Sequence, residues 1–194
     1  MATYYWVGGS GNWNATSTTN WSNASGGANG FGPPTSADDV IFDAGSNVGT
    51  GAFTVTITGT SAAPAVCNDF STGGAGGALD GAMTLSMGAT AVLDVYGSMT
   101  LPATNFTWTG TTGATLNFRA ITSGKTITTN GVTLTGTVLN FDGVGGEWTL
   151  GSAISNNVSN TTILNGSLIT ANYNFTSNSI ISSTTTNRSI SLGS

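Results

Sequence analysis

Histidine is absent from this 194-residue sequence, and charged residues make up only 6% of it. That share is about a quarter of what a soluble domain ordinarily carries. The net charge is −5, and the three basic residues, Arg119, Lys125 and Arg188, are scattered along the chain. A nucleic-acid-binding surface needs clustered Lys or Arg to neutralise phosphates. The sequence therefore argues against a nucleic-acid partner.

Cysteine and long apolar runs are equally scarce. Cys67 is the single cysteine, which excludes an internal disulfide framework and a Cys-based metal cage. We interpret it as a small buried hydrophobe and expect neither a metal nor a cofactor. No segment approaches the ~18 consecutive apolar residues of a membrane-spanning helix, so we expect no membrane insertion. The first residues lack the features of a signal peptide; if Met1 is the native start, the protein folds in the cytoplasm.

Thr, Ser, Asn and Gly are abundant instead, and Val, Ile, Leu, Phe and Trp recur between them at short intervals. Thr and the β-branched residues suit a pleated surface. Helix-forming residues at a 3.6-residue spacing are missing. The sequence therefore predicts an all-β fold.

An internal repeat is the strongest signal in the chain. Thr115–Phe118 is echoed by Val138–Phe141 after 23 residues, and we align Ile163–Gly166 with them as a third copy. Met83–Leu85 is similarly echoed by Met99–Leu101. A period of roughly 20–25 residues with two or three short strands predicts a parallel β-helix, that is, a β-solenoid of stacked coils.

The alternative fold is an antiparallel β-sandwich. Asn-Gly and Asp-Gly pairs tolerate positive φ at the corners of a solenoid, but they also mark hairpins. Such pairs occur at Asn130-Gly131, Asp142-Gly143 and Asn165-Gly166. Hairpins alone do not predict a recurring Leu-Asn-Phe, so we favour the solenoid.

Two regions follow from this pattern. Residues 1–50, rich in Trp, Asn and Gly, are predicted to form an N-terminal cap or docking segment. Residues 51–194 are predicted to form the solenoid repeats. Because the chain stops within a strand motif and without a polar cap, we expect the repeats to continue beyond residue 194.

Several segments of the sequence carry a resemblance to known proteins: Tyr5–Trp13, Asn20–Ser22, Gly26-Gly27, Pro34–Asp43, Thr122–Gly131, Phe141–Leu150 and Thr186–Ser194. They resemble segments of a widespread group of repeat proteins that occur in tailed phages, especially marine ones, and also among bacterial surface proteins. The resemblance implies β-helical virion or tail-appendage proteins, which are often much longer than this chain.

Five aromatic residues near the N terminus are candidates for docking onto a partner or for stacking on a sugar: Tyr4, Tyr5, Trp6, Trp13 and Trp21. Flat, amphipathic rings suit a carbohydrate-binding surface. We favour the simpler interpretation that they seal the first coil or pack against a partner subunit.

The acidic residues give little support to catalysis. A polysaccharide-cleaving site needs paired carboxylates or a bound cation, and acids are sparse here. Asp142 precedes a glycine, as turn residues do, and Asp94 alternates with apolar neighbours, which predicts that it faces outward. Arg119 and Lys125 are likewise interpreted as outward charges. We expect no catalytic residues.

Asp38, Asp39 and Asp43 form the one acidic cluster. Their oxygens could bind Ca²⁺, which prefers carboxylates and carbonyls. The favoured interpretation is that Asp38 or Asp39 caps a turn before the strand Val40–Phe42.

These observations predict a non-enzymatic structural protein of a phage virion, such as a tail-fibre, tailspike or head-decoration component assembled in the host cytoplasm. Its N-terminal region would dock onto other virion subunits, and its solenoid would project outward toward a host surface glycan. The protein would be a homo-oligomer, and a trimer if it forms a fibre. The alternative is an adhesin or extracellular filament subunit on the bacterial cell surface. A polysaccharide depolymerase is the third possibility.

Overall fold

The computed structural model describes residues 1–49, 51–74, 76–182 and 187–193. This part of the chain contains sixteen strands, one short 3-10 helix over Ala44–Asn47 and no α-helix, so the predicted all-β class is confirmed. No helix in the described part is long and apolar enough to span a bilayer. The strands are β1 (Thr3–Trp6), β2 (Gly11–Trp13), β3 (Trp21–Ser22), β4 (Asp39–Phe42), β5 (Phe53–Ile57), β6 (Ala65–Cys67), β7 (Phe70–Thr72), β8 (Met83–Met87), β9 (Val92–Val95), β10 (Met99–Thr100), β11 (Phe106–Phe118), β12 (Lys125–Thr128), β13 (Thr135–Leu150), β14 (Ile154–Ile169), β15 (Phe175–Ile181) and β16 (Arg188–Ser191).

All sixteen strands belong to one curled sheet that is mostly parallel. Its pairings form three ladders. The first ladder runs β1, β4, β7, β10, β12, then the end of β13, the end of β14 and β16. The second ladder runs β2, β5, β8 and the start of β11, and continues through the starts of β13, β14 and β15.

The third ladder runs β6, β9, the end of β11, and then the middle of β13, the middle of β14 and the end of β15. Each of the long strands therefore contributes to two or three ladders. Within the described residues, β1–β3 is the single antiparallel pair between named strands. The alternative of an antiparallel sandwich is therefore wrong.

Strict alternation of apolar and polar residues places the core on one side of the ladders. In β5, Phe53, Val55 and Ile57 are buried while the intervening threonines are partly exposed. β5 pairs in register with β8, which shows the same alternation. Since the side-chain period of a strand is two residues, in-register pairing stacks apolar side chains on apolar side chains. The result is one apolar cluster that extends from Trp6 to Leu168.

The predicted repeat is confirmed in part. Leu116, Asn117 and Phe118 pair in register with the predicted copy at Leu139 to Phe141. The third copy is wrong, because Phe141 pairs with Ile163, three residues earlier than our alignment places it. The pairing register shifts at the corner after Phe141, so the repeat length is not constant there.

The shorter echo is also wrong. Met83 pairs with Phe53 and Phe106 in the second ladder, whereas Met99 pairs with Phe70 and Ile127 in the first. Both segments alternate apolar and polar residues, and this shared pattern does not distinguish one ladder from another.

Candidate functional site

The N-terminal aromatic residues form a tight cluster inside the sheet. Trp6, Trp13 and Trp21 are each 0% exposed. The ring centroid of Trp21 lies 5.1 Å from those of both Trp6 and Trp13, in edge-to-face arrangements. Trp13 also stacks on Phe70 at 6.1 Å, and Trp6 stacks on Phe42 at 5.8 Å. These contacts hold the three indoles in the core of the first strands.

This burial bears directly on the candidate docking and sugar-stacking residues. The three indoles have no exposed face, so neither a sugar nor a partner can stack on them in this structure. Their position agrees with the interpretation that they seal the end of the core. Tyr4 and Tyr5 remain partly exposed, and Tyr4 packs against the core.

The chain closes this end by reversing direction. The two-residue strand β3 lies antiparallel on the outer edge of β1, pairing Trp6 with Trp21. The amide of Val7 donates to the carbonyl of Asn20 at 2.8 Å, and the side-chain Nδ2 of Asn20 donates to the carbonyl of Val7 at 2.9 Å. A Cβ on Gly11 would come within 2.2 Å of the Asn20 side chain, so a larger residue there would have to displace that side chain. The outer edge of β1 is therefore occupied.

The acidic cluster binds backbone amides. Asp38 accepts hydrogen bonds from the backbone amide of Thr35 at 3.1 Å and from its hydroxyl at 2.6 Å, which confirms the predicted turn cap. Asp43 is buried and accepts from the amides of Gly45 and Gly76. Among the described residues, no group of three or more His, Cys, Asp or Glu side chains could hold a metal ion.

Asp39 belongs to a row of corner caps that the sequence interpretation missed. Its Oδ1 accepts from the backbone amide of Asp69, 30 residues on, at 3.2 Å. The Oδ1 of Asp69 accepts from the amide of Ser98, 29 residues on, at 2.7 Å, and the hydroxyl of Ser98 accepts from the amide of Thr126 at 3.1 Å. Each cap lies directly before or at the start of a first-ladder strand. A polar residue recurring before Val40, Phe70 and Met99 was the available signal.

A second polar row includes Asp94, which lies on the outer side of its strand between the buried Leu93 and Val95. This residue is only 5% exposed, because side chains from the neighbouring strands cover it. Asn117 donates to its Oδ1 at 2.6 Å, and Arg119 donates to its Oδ2 at 3.3 Å. Asn140 in turn donates to Asn117 at 2.9 Å. Asp94 therefore faces a ladder of amide side chains rather than solvent.

Arg119 links this row to the next turn of the chain. Besides its contact with Asp94, its guanidinium forms an ion pair with Asp142, whose Oδ1 also accepts from Asn165 at 2.6 Å. The side chain of Arg119 is 32% exposed. The prediction of a simple outward charge is therefore wrong for Arg119: it bridges two carboxylates on β9 and β13, the strands on either side of β11.

Two further groups have shifted pKa values. Burial, with smaller contributions from the charges of Asp69, Asp39 and Asp94, raises the pKa of the Cys67 thiol well above its usual range. A buried thiol with a raised pKa is a poor nucleophile, which agrees with its interpretation as a buried hydrophobe. Burial and the nearby charge of Asp94 also raise the pKa of Tyr96.

A groove follows the corners of the last strands. It has a volume of about 760 Å³. It lies between the corner Val144–Glu147, residues 165–167 of β14 and residues 187–189 at the start of β16. Glu147 is the one carboxylate among its lining residues. Paired carboxylates, which acid–base cleavage of a glycosidic bond requires, are not present in that lining.

The opposite end of the sheet exposes its core. Five large apolar side chains lie on or beside the last strands with substantial exposure: Tyr173 (45%), Ile180 (49%), Ile181 (37%), Ile190 (37%) and Leu192 (73%). A cavity of about 170 Å³ opens between several of them and Phe175.

Comparisons with protein-family models, with curated proteins and with solved structures found no match for this chain.

Proposed function

We propose that this chain is a non-enzymatic structural protein of a phage virion whose rigid part is a parallel β-helix. The observation that carries the proposal is the order in which the chain visits its ladders. β4, β5 and β6 lie in the first, second and third ladder, and β7, β8 and β9 repeat that order. Passage through three ladders in constant order, with parallel pairing to the previous turn, supports a β-helix.

The use of polar side chains supports a structural role. The carboxylates of Asp39 and Asp69 hold backbone amides of the following turn, and Asp94 and Asp142 bind amide and guanidinium groups of neighbouring strands. These hydrogen bonds fix the register between turns, because a slip by one residue would break all of them. Groups that bind the fold itself are not available to bind or cleave a substrate.

The assignment to a virion rests on the sequence resemblance together with this architecture. The repeat motifs resemble those of phage appendage proteins, and a β-helix supplies the stiff, extended shape that such an appendage needs. The surface is polar but nearly free of charge, as only 6% of residues are charged. In this role the protein contributes length and rigidity, and the buried tryptophans close the N-terminal end of its core.

Purified phage particles from a culture that encodes this chain test the proposal. We expect peptides of the chain in particles purified through a density gradient and immunogold label on the tail or capsid of intact particles. Particles from a deletion strain provide the control. Label confined to uninfected bacterial surfaces would favour an adhesin instead, and release of reducing sugar from host capsule by the purified chain would favour a depolymerase.

A further inference from the structure

One outer side of the sheet carries hydroxyl groups in a regular pattern. It is formed by the outward positions of the second ladder from β2 to the start of β13, and we call it the threonine face. Its residues are Asn12, Thr54, Thr56, Thr84, Ser86, Thr107, Thr109 and Thr135. None of them is buried, whereas the residues between them on each strand, such as Val55, Leu85 and Trp108, are.

The pairing register arranges these side chains in two columns. Thr54, Thr84 and Thr107 are in-register partners on β5, β8 and β11 and form the first column. Two residues along each strand lies the second column, which consists of Asn12, Thr56, Ser86, Thr109 and Thr135. Neighbouring strands lie ~4.8 Å apart, and alternate residues of one strand lie about 6.6 Å apart, twice the rise per residue. The polar groups therefore stand on a nearly rectangular lattice.

The fold itself makes little use of the hydroxyls on the threonine face. The hydroxyl of Thr109 lies 3.4 Å from the carbonyl oxygen of Leu85. The other hydroxyls of the face make no hydrogen bond to a protein atom in the described part of the chain. On the third ladder, by contrast, Asp94 accepts from Asn117 and Arg119. The threonine face thus presents donors and acceptors that are open to a ligand.

The chemistry of the threonine face suits ordered, uncharged water. None of its residues is charged, so no ionic group imposes its own hydration shell there. A β-branched side chain such as that of Thr84 has restricted χ1, and the buried residues on either side fix its strand. Rigid groups of this kind lose little entropy on binding. The flat rings on which a sugar stacks are missing from the face, because Trp108 points into the core.

From this pattern we propose that the threonine face binds the surface of ice. On the prism faces of ice, water oxygens repeat in a rectangle whose sides are close to the strand spacing and to twice the rise per residue. Each hydroxyl both donates to and accepts from water, so water bound along the two columns takes up the spacing of the crystal. The inference goes beyond the virion role and does not depend on it, since it requires only the second ladder.

Ice-growth measurements on the purified chain test the proposal. We expect the chain to slow the recrystallisation of ice and to lower the freezing point of its solution below the melting point. Thr84→Lys places a long, charged side chain at the centre of the threonine face and should abolish both effects. Thr126→Lys is the matched control, because Thr126 is an exposed threonine on β12 in the first ladder. It should leave both effects unchanged.

Modification of the folded protein separates ice binding from folding. In a Cys67→Ala background, Thr84→Cys should inhibit ice growth before a bulky maleimide is attached to it and lose the inhibition afterwards. The same reagent on Thr126→Cys should change nothing. No effect of the unmodified chain on ice at any concentration would overturn the proposal, as would inhibition that survives modification at Thr84→Cys or is lost equally at both positions. Retention on insoluble cellulose without any effect on ice would assign the face to a glycan instead.

Discussion

The two ends of the sheet differ in whether the outer edge of the end strand is covered. At the N-terminal end, the chain turns back so that β3 covers β1, and Trp6, Trp13 and Trp21 are completely buried. At the C-terminal end, β15 and β16 have no further strand over them in the described part of the chain, and Ile180 is 49% exposed.

This difference shows which part of its apolar core a stack of parallel strands can bury. Each turn buries the apolar side chains of the turn before it, so the interior is closed wherever another turn follows. The strands β15 and β16 are an exception, because no other strand in the described part of the chain lies over them. Closing an end takes a change of strand direction and large aromatic side chains, and among the described residues those near the N terminus provide both.

The largest expected effect lies at the closed end. Trp13→Ala should lower the free energy of unfolding by about 4 kcal/mol, because it removes a fully buried indole that packs against Trp21, Phe42 and Phe70. Ile180→Ala at the open end should cost less than about 1.5 kcal/mol, measured on the monomer by urea denaturation. Equal losses at the two positions would show that the ends are not packed differently.

A smaller effect is expected between the two ends, in the row that contains Asp94. Asp94→Ala should cost about 2 kcal/mol, because Asn117 and Arg119 each lose a hydrogen bond to a charged acceptor while Arg119 keeps Asp142. Asp80→Ala removes the same charge from an exposed position and should change stability by less than about 0.5 kcal/mol. If both variants lose the same amount, the buried row does not stabilise the fold.

The smallest expected effect concerns Asp38, which ties the first residues to the closed end. Burial acts to raise its pKa, but hydrogen bonds from Thr35 and Ala2 and the charge of the N-terminal amino group outweigh it, so the pKa lies below its ordinary value. The carboxylate therefore stabilises the fold above the unfolded-state pKa, and this contribution is lost as the pH falls through the lowered, folded-state pKa.

Asp38→Ala should accordingly cost about 1 kcal/mol at neutral pH and less at a pH below the lowered, folded-state pKa, because the carboxyl is then protonated in both the folded and the unfolded state. Urea denaturation at the two pH values measures the difference. A loss that stayed the same at both would mean that the charge of Asp38 is not what matters.

The sequence predicts the fold where the repeat is regular and fails where it is not. Leu116 to Phe118 and their copy at residues 139–141 pair as predicted, because identical residues in one ladder occupy equivalent positions. The copy at Ile163 is displaced by three residues, since backbone pairing, not residue identity, sets the register.

Burial of polar residues was harder to predict. Alternation alone places Asp94 on the outer face, and local sequence contains no sign that Arg119 and Asn117 cover it there. The 23-residue spacing of Asp94, Asn117 and Asn140 equals the repeat length and could have indicated the row. The interpretation that the three indoles seal the end of the core needed only their number and their position near the N terminus.

Parallel stacking of successive turns is the central claim, and a cross-linking measurement tests it most directly. Thr54 and Thr84 are in-register partners on β5 and β8, and neighbouring strands lie ~4.8 Å apart, within the range that a disulfide can bridge. In a Cys67→Ala background, the double variant Thr54→Cys/Thr84→Cys should oxidise completely within the monomer, whereas Thr54→Cys/Thr126→Cys, on different ladders, should not. Oxidation of the second pair in preference to the first would contradict the stacked, parallel arrangement.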